Sequence, residues 1–102
     1  MATYIMLLKW TQQGVRAVTE APDRIKQNRA TADQMGIRSV GIWVTMGEYD
    51  LAAVFDAPDD QTMAAFALAV ARRENSTSQT MRAFSEDEFV QIASGLPKDA
   101  GG

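Results

Sequence analysis

The sequence predicts an α+β domain in which two β-α-β units follow one another along 102 residues. Three observations support this fold class. Short apolar runs rich in β-branched and aromatic residues alternate with longer segments in which apolar residues recur at helical spacing. Gly36 lies where the first long helix would end, and Gly47 lies in the hairpin turn. Glycine is common at both kinds of position. The hydrophobic content of 46% is that of an ordinary globular domain with a small core.

The first strand is predicted over residues 3–10, which are almost entirely apolar. Because successive side chains of a strand point to opposite faces, Ile5 and Leu7 fall on one face. Apolar residues on both faces, up to Lys9, indicate a strand that is covered on both sides. The second face receives Tyr4, Met6, Leu8 and Trp10.

The first long helix is predicted from Pro22, placed at its first position, to about Met35. A short turn at residues 15–18 precedes it. Ile25, Ala32 and Met35 share one stripe at helical spacing, so this side is expected to face the core.

Two neighbouring β segments then indicate a hairpin, with strands at residues 37–45 and 51–55 and a turn near Met46 and Gly47. Asp59 is expected to cap the second helix, because its carboxylate can accept hydrogen bonds from the free amides of a first turn. In the hairpin strand at residues 37–45, one face is expected to carry Val40, Ile42 and Val44, and the other Gly41, Trp43 and Thr45. The inner face of the second helix, which follows Asp59, is expected to carry Met63, Phe66, Ala67 and Val70.

The C-terminal part of the chain is more polar. Residues 75–79 are predicted to form a turn and residues 80–84 a weaker edge strand. A short last helix is expected at residues 85–94, because Ser85 and Glu88 have capping-box spacing.

These elements place a single domain at residues 1–94, followed by a flexible tail at residues 95–102. The order β-α-β-β-α-β is that of the ferredoxin-like fold, a four-stranded antiparallel sheet with its helices on one face. The expected central strands, residues 3–10 and 51–55, are apolar on both faces, so the helices leave one apolar sheet face uncovered. Soluble monomers avoid such patches, and we therefore expect a homodimer or a higher homo-oligomer with sheets packed face to face.

The composition excludes several classes of chemistry. The chain has no His and no Cys, which removes disulfides, thiolate nucleophiles, histidine acid–base pairs and Cys/His zinc sites. We therefore expect neither a metal nor a cofactor. With 10 basic and 13 acidic residues the net charge is −3, which disfavours nucleic acid as a partner. No apolar run approaches the roughly 20 residues of a membrane span, so we expect a cytoplasmic protein without a membrane partner.

Tyr49 and Asp50 follow Gly47 at the predicted hairpin and admit two interpretations. In the structural one, Gly47 allows the turn, Asp50 accepts backbone N–H groups, and the Tyr49 ring packs while its hydroxyl finds a partner. In the functional one, both side chains line a pocket at the end of the sheet, Tyr49 as a hydrogen-bond donor and Asp50 as a base or orienting group. Nothing in the sequence places a substrate there.

Lys9, Trp10, Trp43 and Arg82 are the other candidate ligand-binding residues. Lys9 ends an apolar strand and is either a pocket cation or a side chain whose amine reaches solvent. Trp10 and Trp43 form either the aromatic walls of a site for a flat ligand or part of a subunit interface. Arg82 either joins a polar site or pairs with an acid, and the pairing is the simpler expectation.

Residues 43–58, Trp-Val-Thr-Met-Gly-Glu-Tyr-Asp-Leu-Ala-Ala-Val-Phe-Asp-Ala-Pro, resemble the GYD domain family. Its signature is a glycine, a variable residue, a tyrosine and an aspartate at the start of the third strand. The opening Tyr-Ile-Met-Leu-Leu-Lys-Trp-Thr-Gln-Gln-Gly, the helix start at residues 22–24 and the alanine-rich helix at residues 59–71 agree with it. The resemblance extends to about Phe89 and implies a ferredoxin-like subunit of the dimeric α/β-barrel type, with no activity attached. The signature positions here are Gly47, Tyr49 and Asp50.

Three functional hypotheses remain open from the sequence. The first is a small oligomeric protein that binds a small apolar or aromatic molecule at the sheet end or at the subunit interface. The second is a cofactor-independent enzyme of the dimeric α/β-barrel type, monooxygenase-like or isomerase-like, that acts through Tyr49, Asp50 or Lys9. It predicts a pocket of a few hundred Å³ that reaches those side chains. The third is a structural interaction module.

Overall fold

In the computed structural model, which describes residues 1–99, strands and helices alternate along the chain. The strands are β1 (Ala2–Trp10), β2 (Arg38–Val44), β3 (Leu51–Ala57) and β4 (Ser76–Ala83). The helices are α1 (Gln12–Arg16), α2 (Ala21–Gln34), α3 (Asp60–Ala71) and α4 (Glu86–Ser94), with a 3-10 turn at Val18–Glu20. The strands form an antiparallel sheet in the order β2-β3-β1-β4. The predicted ferredoxin-like α+β fold is therefore confirmed, with β1 and β3 at the centre of the sheet.

Strand β1 shows the predicted alternation between its two faces. Helices α2 and α3 pack on one side of the sheet, which we call the covered face. Tyr4, Met6 and Leu8 lie on this face and are buried. Ile5 and Leu7 lie on the opposite side, the open face, and are half-buried. The sheet thus has apolar residues on both faces and helices on one of them.

The core lies between helix α3 and the covered face of the sheet. Met63 and Phe66 of α3 and Met6 of β1 are each 1% exposed. The rings of Phe55 and Phe66 meet edge to face, with their centroids 5.1 Å apart. This geometry favours aromatic pairs, because the positive edge of one ring meets the negative face of the other. The prediction that Met63, Phe66 and Val70 face inward is confirmed.

Helix α2 begins at Ala21, so Pro22 occupies its second position and not the predicted first one. Ala21 and Ala32 are buried, while Ile25 and Met35 pack against the edge of the core. The predicted turn at residues 15–18 overlaps the end of the short helix α1 and the start of the 3-10 turn. The Thr11 hydroxyl caps α1 by accepting a hydrogen bond from the Gly14 N–H at 3.2 Å.

Strand β2 departs from the predicted alternation through a β-bulge. Its register against β3 shifts between Ser39, which pairs with Phe55, and Gly41, which pairs with Val54. Val40 is the extra residue of the bulge and is 48% exposed. A bulge adds a residue to one strand and breaks its period of two, so the predicted alternation is interrupted at Val40. Beyond the bulge Ile42 and Val44 share one face, as predicted.

Strand β4 is longer than predicted and begins at Ser76. Residues 75–79 were expected to form a turn, but β4 pairs with β1 along its whole length, from Trp10 opposite Ser76 to Thr3 opposite Ala83. An edge strand needs backbone pairing on one side only, so polar side chains such as those of β4 are compatible with it. The turn lies earlier, at Glu74, which adopts a φ of 64°.

Helix α4 begins with the predicted capping box. The Ser85 hydroxyl accepts from the Glu88 N–H at 3.1 Å, and the Glu88 carboxylate accepts from the Ser85 N–H at 2.9 Å. No residue of α4 is buried. The longest dimension of the molecule is 57 Å and the shortest is 20 Å. In the predicted tail, residues 95–99 are exposed and form neither helix nor strand, and residues 100–102 lie outside the described residues.

Helix capping predicts how stability depends on pH. The Asp59 carboxylate accepts from the Thr62 N–H at 2.7 Å, and this bond holds the pKa of Asp59 below its ordinary value. A carboxyl whose pKa is lower in the folded state stabilises the fold above its unfolded pKa, and this contribution is lost as the pH falls through the folded pKa. We expect Asp59→Asn, which keeps an acceptor oxygen but does not titrate, to show a weaker loss of stability below a pH of about 4.

The measurement is urea unfolding followed by circular dichroism over a series of acidic pH values. The other acidic residues are the same in both proteins and so form the internal control. Equal pH slopes for the wild type and Asp59→Asn would contradict a coupling between the cap and folding.

Candidate functional site

The β2–β3 hairpin builds the first part of the candidate site. Gly47 adopts a φ of 119°, as predicted for the turn, because only glycine takes this backbone conformation without steric cost. The Thr45 N–H donates to the Asp50 carbonyl at 2.8 Å, and the Thr45 hydroxyl donates to the Tyr49 carbonyl at 2.6 Å. These bonds close the loop and fix the direction in which Tyr49 and Asp50 leave it.

Asp50 joins the hairpin to the end of β1. Its carboxylate Oδ2 accepts from the Trp10 backbone N–H at 2.8 Å, and its own N–H donates to the Leu8 carbonyl at 2.8 Å. These two bonds continue the β1–β3 pairing beyond the Leu8–Leu51 pair, with a side chain replacing a backbone acceptor. One carboxylate oxygen is therefore occupied by the main chain.

Tyr49 reaches across the sheet on the open face. Its hydroxyl lies 3.0 Å from Oε1 of Gln79, on β4, and donates a hydrogen bond to it. Nζ of Lys9 lies 5.3 Å from the centre of the Tyr49 ring and 3.6 Å from the Glu48 carboxylate. The structure therefore brings the candidate residues Lys9 and Tyr49 together, in contacts that are largely open to solvent.

Trp43 lies on the same open face, on β2. It pairs with Ala52, and 55% of its surface is exposed. The indole covers Gly41: a Cβ at that position would lie 2.4 Å from the ring, so the close approach requires a residue without a side chain. Trp43 thus packs against the sheet at Gly41, while more than half of its surface stays exposed.

On the open face, Trp43 and the apolar side chains of the neighbouring strands form a continuous apolar surface, which we call the open-face band. Its two ends are polar: Lys9 and Tyr49 lie at one end, and at the other end Asp56 accepts from the Thr3 hydroxyl at 2.7 Å and pairs with Arg38 at 3.4 Å. The pairings of the strands place in this band Ile5, Leu7, Trp43, Ala52, Val54 and Met81.

Trp10 lies on the covered face, apart from the other candidates. Its side chain packs against the core and lines a cavity beneath α2, together with Leu8 and Leu51. Lys9, Tyr49 and Asp50 line neither this cavity nor the one that adjoins it. Of the six candidate ligand-binding residues, Trp10 is therefore the one that lines these cavities.

Arg82 lies at the far end of the sheet. Its guanidinium group stacks on Phe84 at 4.5 Å and on Tyr4 at 5.7 Å, and it pairs with Glu88 at 3.4 Å. The expected acid pairing is present, and it ties β4 to the first turn of α4. The Tyr4 hydroxyl donates to Asp60, and this hydrogen bond raises the pKa of Tyr4.

Comparison with known proteins identifies the family. The sequence model of the GYD domain family matches residues 4–93, which include the turn with Gly47, Tyr49 and Asp50. The chain belongs to the GYD domain family. A Thermus thermophilus protein, called glutamine synthetase and cystathionine beta-lyase binding protein, is 32% identical over 91 residues, which cover 88% of this chain and 96% of that protein. The resemblance seen in the sequence is therefore confirmed.

Solved structures of similar fold support the topology. A protein described as FFRP-DM1 matches with a TM-score of 0.57 and 21% identity, over 82% of this chain and all of that one (100%). A hypothetical protein from Pyrococcus horikoshii, PHS023, matches with a TM-score of 0.56 and 22% identity, over 84% of this chain and 93% of that one. At this level of identity the likeness concerns the fold alone.

Sequence reasoning missed two features of the GYD domain. One is the cavity beneath α2, whose signal was Asn28, a polar residue among the inward-facing positions of that helix. The other is the apolar side of α4, whose signal was the helical spacing of Phe89, Ile92 and Leu96. Within residues 1–99, no helix is long and apolar enough to cross a membrane, and no cluster of acidic residues is arranged to hold a metal ion.

Proposed function

We propose that this GYD domain is a self-associating, protein-binding module, in which the open-face band pairs with a second copy and helix α4 binds a partner enzyme. The observation that carries the proposal is α4, a firmly capped helix without a buried residue. The proposal corresponds to the interaction module among the hypotheses from the sequence.

The open-face band supports self-association. Its centre is apolar, with Ile5 opposite both Val54 and Met81, and its ends carry the Lys9–Glu48 and Arg38–Asp56 ion pairs. An apolar centre with a polar rim is the usual composition of a protein interface. A second copy presents the same surface, and two-fold symmetry lets the two bands bury each other. The homodimer predicted from the sequence is therefore retained as part of the proposal.

Helix α4 supports binding of another protein. Phe89, Ile92 and Leu96 recur at spacings of three and four, so they share one side of the helix and its end. Phe89 is 64% exposed, Ile92 46% and Leu96 69%. The Ser85–Glu88 capping box and the Arg82–Glu88 pair set the start and direction of the helix. An amphipathic helix of this kind is suited to an apolar groove on a partner.

The relative from Thermus thermophilus supports the class of partner. The alignment covers 96% of that protein, so the shared domain makes up nearly all of it. Its name describes binding to glutamine synthetase and to cystathionine beta-lyase. We therefore propose that this chain binds a metabolic enzyme of the same kind, with these two as the first candidates.

The test measures binding of the purified chain to glutamine synthetase and cystathionine beta-lyase from its own organism, by biolayer interferometry. We expect Phe89→Asp to weaken binding at least about tenfold, because it places a charge at the centre of an apolar contact. Gln91→Asp is the matched control, since it adds the same charge to the opposite side of α4 and is expected to bind like the wild type. Binding of neither enzyme by the wild type, or equal binding by Phe89→Asp, would contradict the proposal.

The contacts of the signature residues favour a structural role over the enzyme alternative. The Asp50 carboxylate accepts the Trp10 N–H, and the Tyr49 hydroxyl donates to Gln79. The two cavities beneath α2 do not reach Lys9, Tyr49 or Asp50, whereas the enzyme alternative requires a pocket at these side chains. We infer that Gly47, Tyr49 and Asp50 shape the turn that joins β1, β2 and β3.

A second candidate function is the binding of a small molecule at the sheet end, and one observation favours it. Trp10, a candidate from the sequence, lines a cavity that opens at the end of the sheet. This cavity lies on the covered face, away from the open-face band, so the two proposed functions use different surfaces.

A further inference from the structure

Apart from Ile25, helix α2 presents small and polar side chains to the sheet. The inward positions include Ala21, Asn28 and Ala32, whereas the sheet beneath carries larger residues such as Met6 and Leu8. The short side chains leave two adjoining chambers of about 40 Å³ each between the helix and the sheet. We call these two chambers the α2 slot. Both are lined by Leu8, Ile25, Asn28, Leu51 and Val70.

The inner chamber of the α2 slot is apolar. Phe55 and Phe66 close it on the side of the core, and Ile42 closes it toward β2. Ser39, the cross-strand neighbour of Phe55, has a buried hydroxyl oxygen without a hydrogen-bond partner. The amide of Asn28 is the polar side chain of this chamber, and its oxygen accepts from Nη1 of Arg73 at 2.5 Å.

The outer chamber is polar and cationic at its mouth. Arg24, Arg73, Asn75 and Trp10 line it. Nη1 of Arg24 donates to the Ala17 carbonyl at 2.8 Å. A guanidinium group has five N–H donors, so bonds of this kind fix the position of each arginine and leave further donors for a ligand. The carboxylates of Glu20 and Asp23 line a wider depression farther out, which also includes Arg24 and Arg73.

We propose that the α2 slot binds a slender amphiphile, an unbranched alkyl chain that ends in a carboxylate. The alkyl chain lies between α2 and the sheet, and the carboxylate meets Arg24 and Arg73 at the mouth. The inference rests on the second candidate function and names its site and its ligand class. It does not depend on association of the open-face band or on the binding of an enzyme by α4.

The dimensions of the slot restrict the ligand. Chambers of about 40 Å³ each hold only a few water molecules, since a water needs roughly 10–15 Å³ measured in this way. Fused rings and branched chains therefore do not fit. From Trp10 to Met6 the floor spans four residues of β1, which is about 13 Å at roughly 3.3 Å per residue. An unbranched alkyl chain of medium length matches this span.

The charge at the mouth selects the head group. The residues of the outer chamber include two arginines and two asparagines, and no acid. A carboxylate gains charge-assisted hydrogen bonds from guanidinium groups, whereas an alcohol of the same chain length does not. We therefore expect octanoate to bind more tightly than octanol, and acetate, which lacks the alkyl chain, not to bind measurably.

The test uses the tryptophans as separate reporters, because the chain contains only two. Trp43→Phe leaves Trp10 at the mouth of the slot, and Trp10→Phe leaves Trp43 on the open face. We expect octanoate to change the fluorescence of the Trp43→Phe protein with saturation and to leave that of the Trp10→Phe protein unchanged. A saturable change at Trp43 alone would overturn the slot and keep small-molecule binding at the subunit interface. No saturable change in either protein, up to the solubility of octanoate, would overturn both.

Two variants in the Trp43→Phe background test the slot itself. Asn28→Leu fills the wall that both chambers share, and we expect it to weaken octanoate binding at least about tenfold while the melting temperature is preserved. Ala30→Leu, which places the same side chain on the exposed side of α2, is the control and is expected to bind normally. Unchanged binding by Asn28→Leu would overturn the assignment of the slot.

The arginines test the head group. We expect Arg73→Gln to weaken octanoate binding about tenfold and to leave octanol binding unchanged, because it removes a charge but keeps a donor for Asn28. Arg72→Gln, a change of the neighbouring arginine that does not line the slot, is the matched control. Equal affinities of the wild type for octanoate and octanol would overturn the carboxylate as the head group.

Discussion

Replacing Ile5 with Glu is expected to separate the proposed homo-oligomer into folded monomers. Ile5 lies on β1 in the middle of the open-face band, opposite Val54 on one side and Met81 on the other. In a single chain the side chain is half-buried, so a carboxylate there still reaches water. Between two packed sheets the same carboxylate would be buried without a partner, which costs several kcal/mol. We expect the dissociation constant of the dimer to rise by about 100-fold or more.

The measurement is light scattering coupled to size-exclusion chromatography, over a range of micromolar concentrations. Thr77→Glu is the matched control, because it adds the same charge to the open face at the polar end of the band, where the exposed carboxylate lies next to Lys9. We expect the wild type and Thr77→Glu to elute with the mass of two or more chains and Ile5→Glu with the mass of one. Circular dichroism should show the same folded spectrum for the three proteins. A wild type that is monomeric at these concentrations would contradict the proposed interface.

A charged substitution in the open-face band also separates the two proposed binding activities. Helix α4 and the α2 slot lie outside the band, and neither includes Ile5. A monomeric Ile5→Glu protein that still binds octanoate would place the slot within a single chain. A second outcome is that Ile5→Glu no longer binds the partner enzyme, while Phe89→Asp still self-associates. In that case enzyme binding needs two copies of α4, and avidity accounts for the weaker binding of the monomer.

Local signals in the sequence predicted the elements that depend on few residues. The alternation of β1 follows from the apolar side chains of Tyr4, Met6 and Leu8, and the cap at Asp59 from one carboxylate and one backbone amide. The fold class followed as well, because the order of the elements leaves few ways to bury their apolar faces. Such features are determined within a strand or within the first turn of a helix.

Features that depend on distant partners were not predicted. The start of β4 at Ser76 depends on its pairing with Trp10, and the bulge at Val40 depends on the register of β2 against β3. Neither partner is visible in the local composition of those strands, which is polar in one and apolar in the other.

The candidate site shows the same division. The sequence placed Tyr49 and Asp50 together at the hairpin, because they are neighbours in the chain. Their hydrogen-bond partners are Gln79, which is 30 residues from Tyr49, and Trp10, which is 40 residues from Asp50. The α2 slot was not predicted, because its volume depends on how side chains from α2, α3 and all four strands fit together.

The largest loss of stability is expected from Phe66→Ala. Phe66 is 1% exposed, contacts Phe55 edge to face, and closes the inner chamber of the α2 slot. Removal of a buried phenylalanine ring typically costs about 3–5 kcal/mol, because the transfer of the ring from water is lost and a cavity remains. A domain of this size is stable by only about 5–15 kcal/mol, so the variant is expected to fold at low temperature with little margin.

The matched control for Phe66→Ala is Leu68→Ala, on the same helix. Leu68 is 69% exposed, so its removal is expected to change the free energy of unfolding by less than about 0.5 kcal/mol. Urea unfolding followed by circular dichroism measures both variants, and the melting temperature should fall by roughly 4–8 °C for each kcal/mol lost. Equal losses in the two variants would contradict the position of the core between α3 and the covered face.

The Phe66→Ala protein also connects the core with the proposed ligand. The deleted ring enlarges the inner chamber, so a small apolar compound such as benzene gains a place to bind in the folded state alone. Binding to the folded state raises its stability by mass action, and we expect benzene to raise the melting temperature of Phe66→Ala more than that of the wild type. If octanoate competes with benzene for this space, its alkyl chain reaches the inner chamber from the mouth at Trp10. If both compounds stabilise the variant additively, the two spaces are separate, and the alkyl chain stops in the outer chamber.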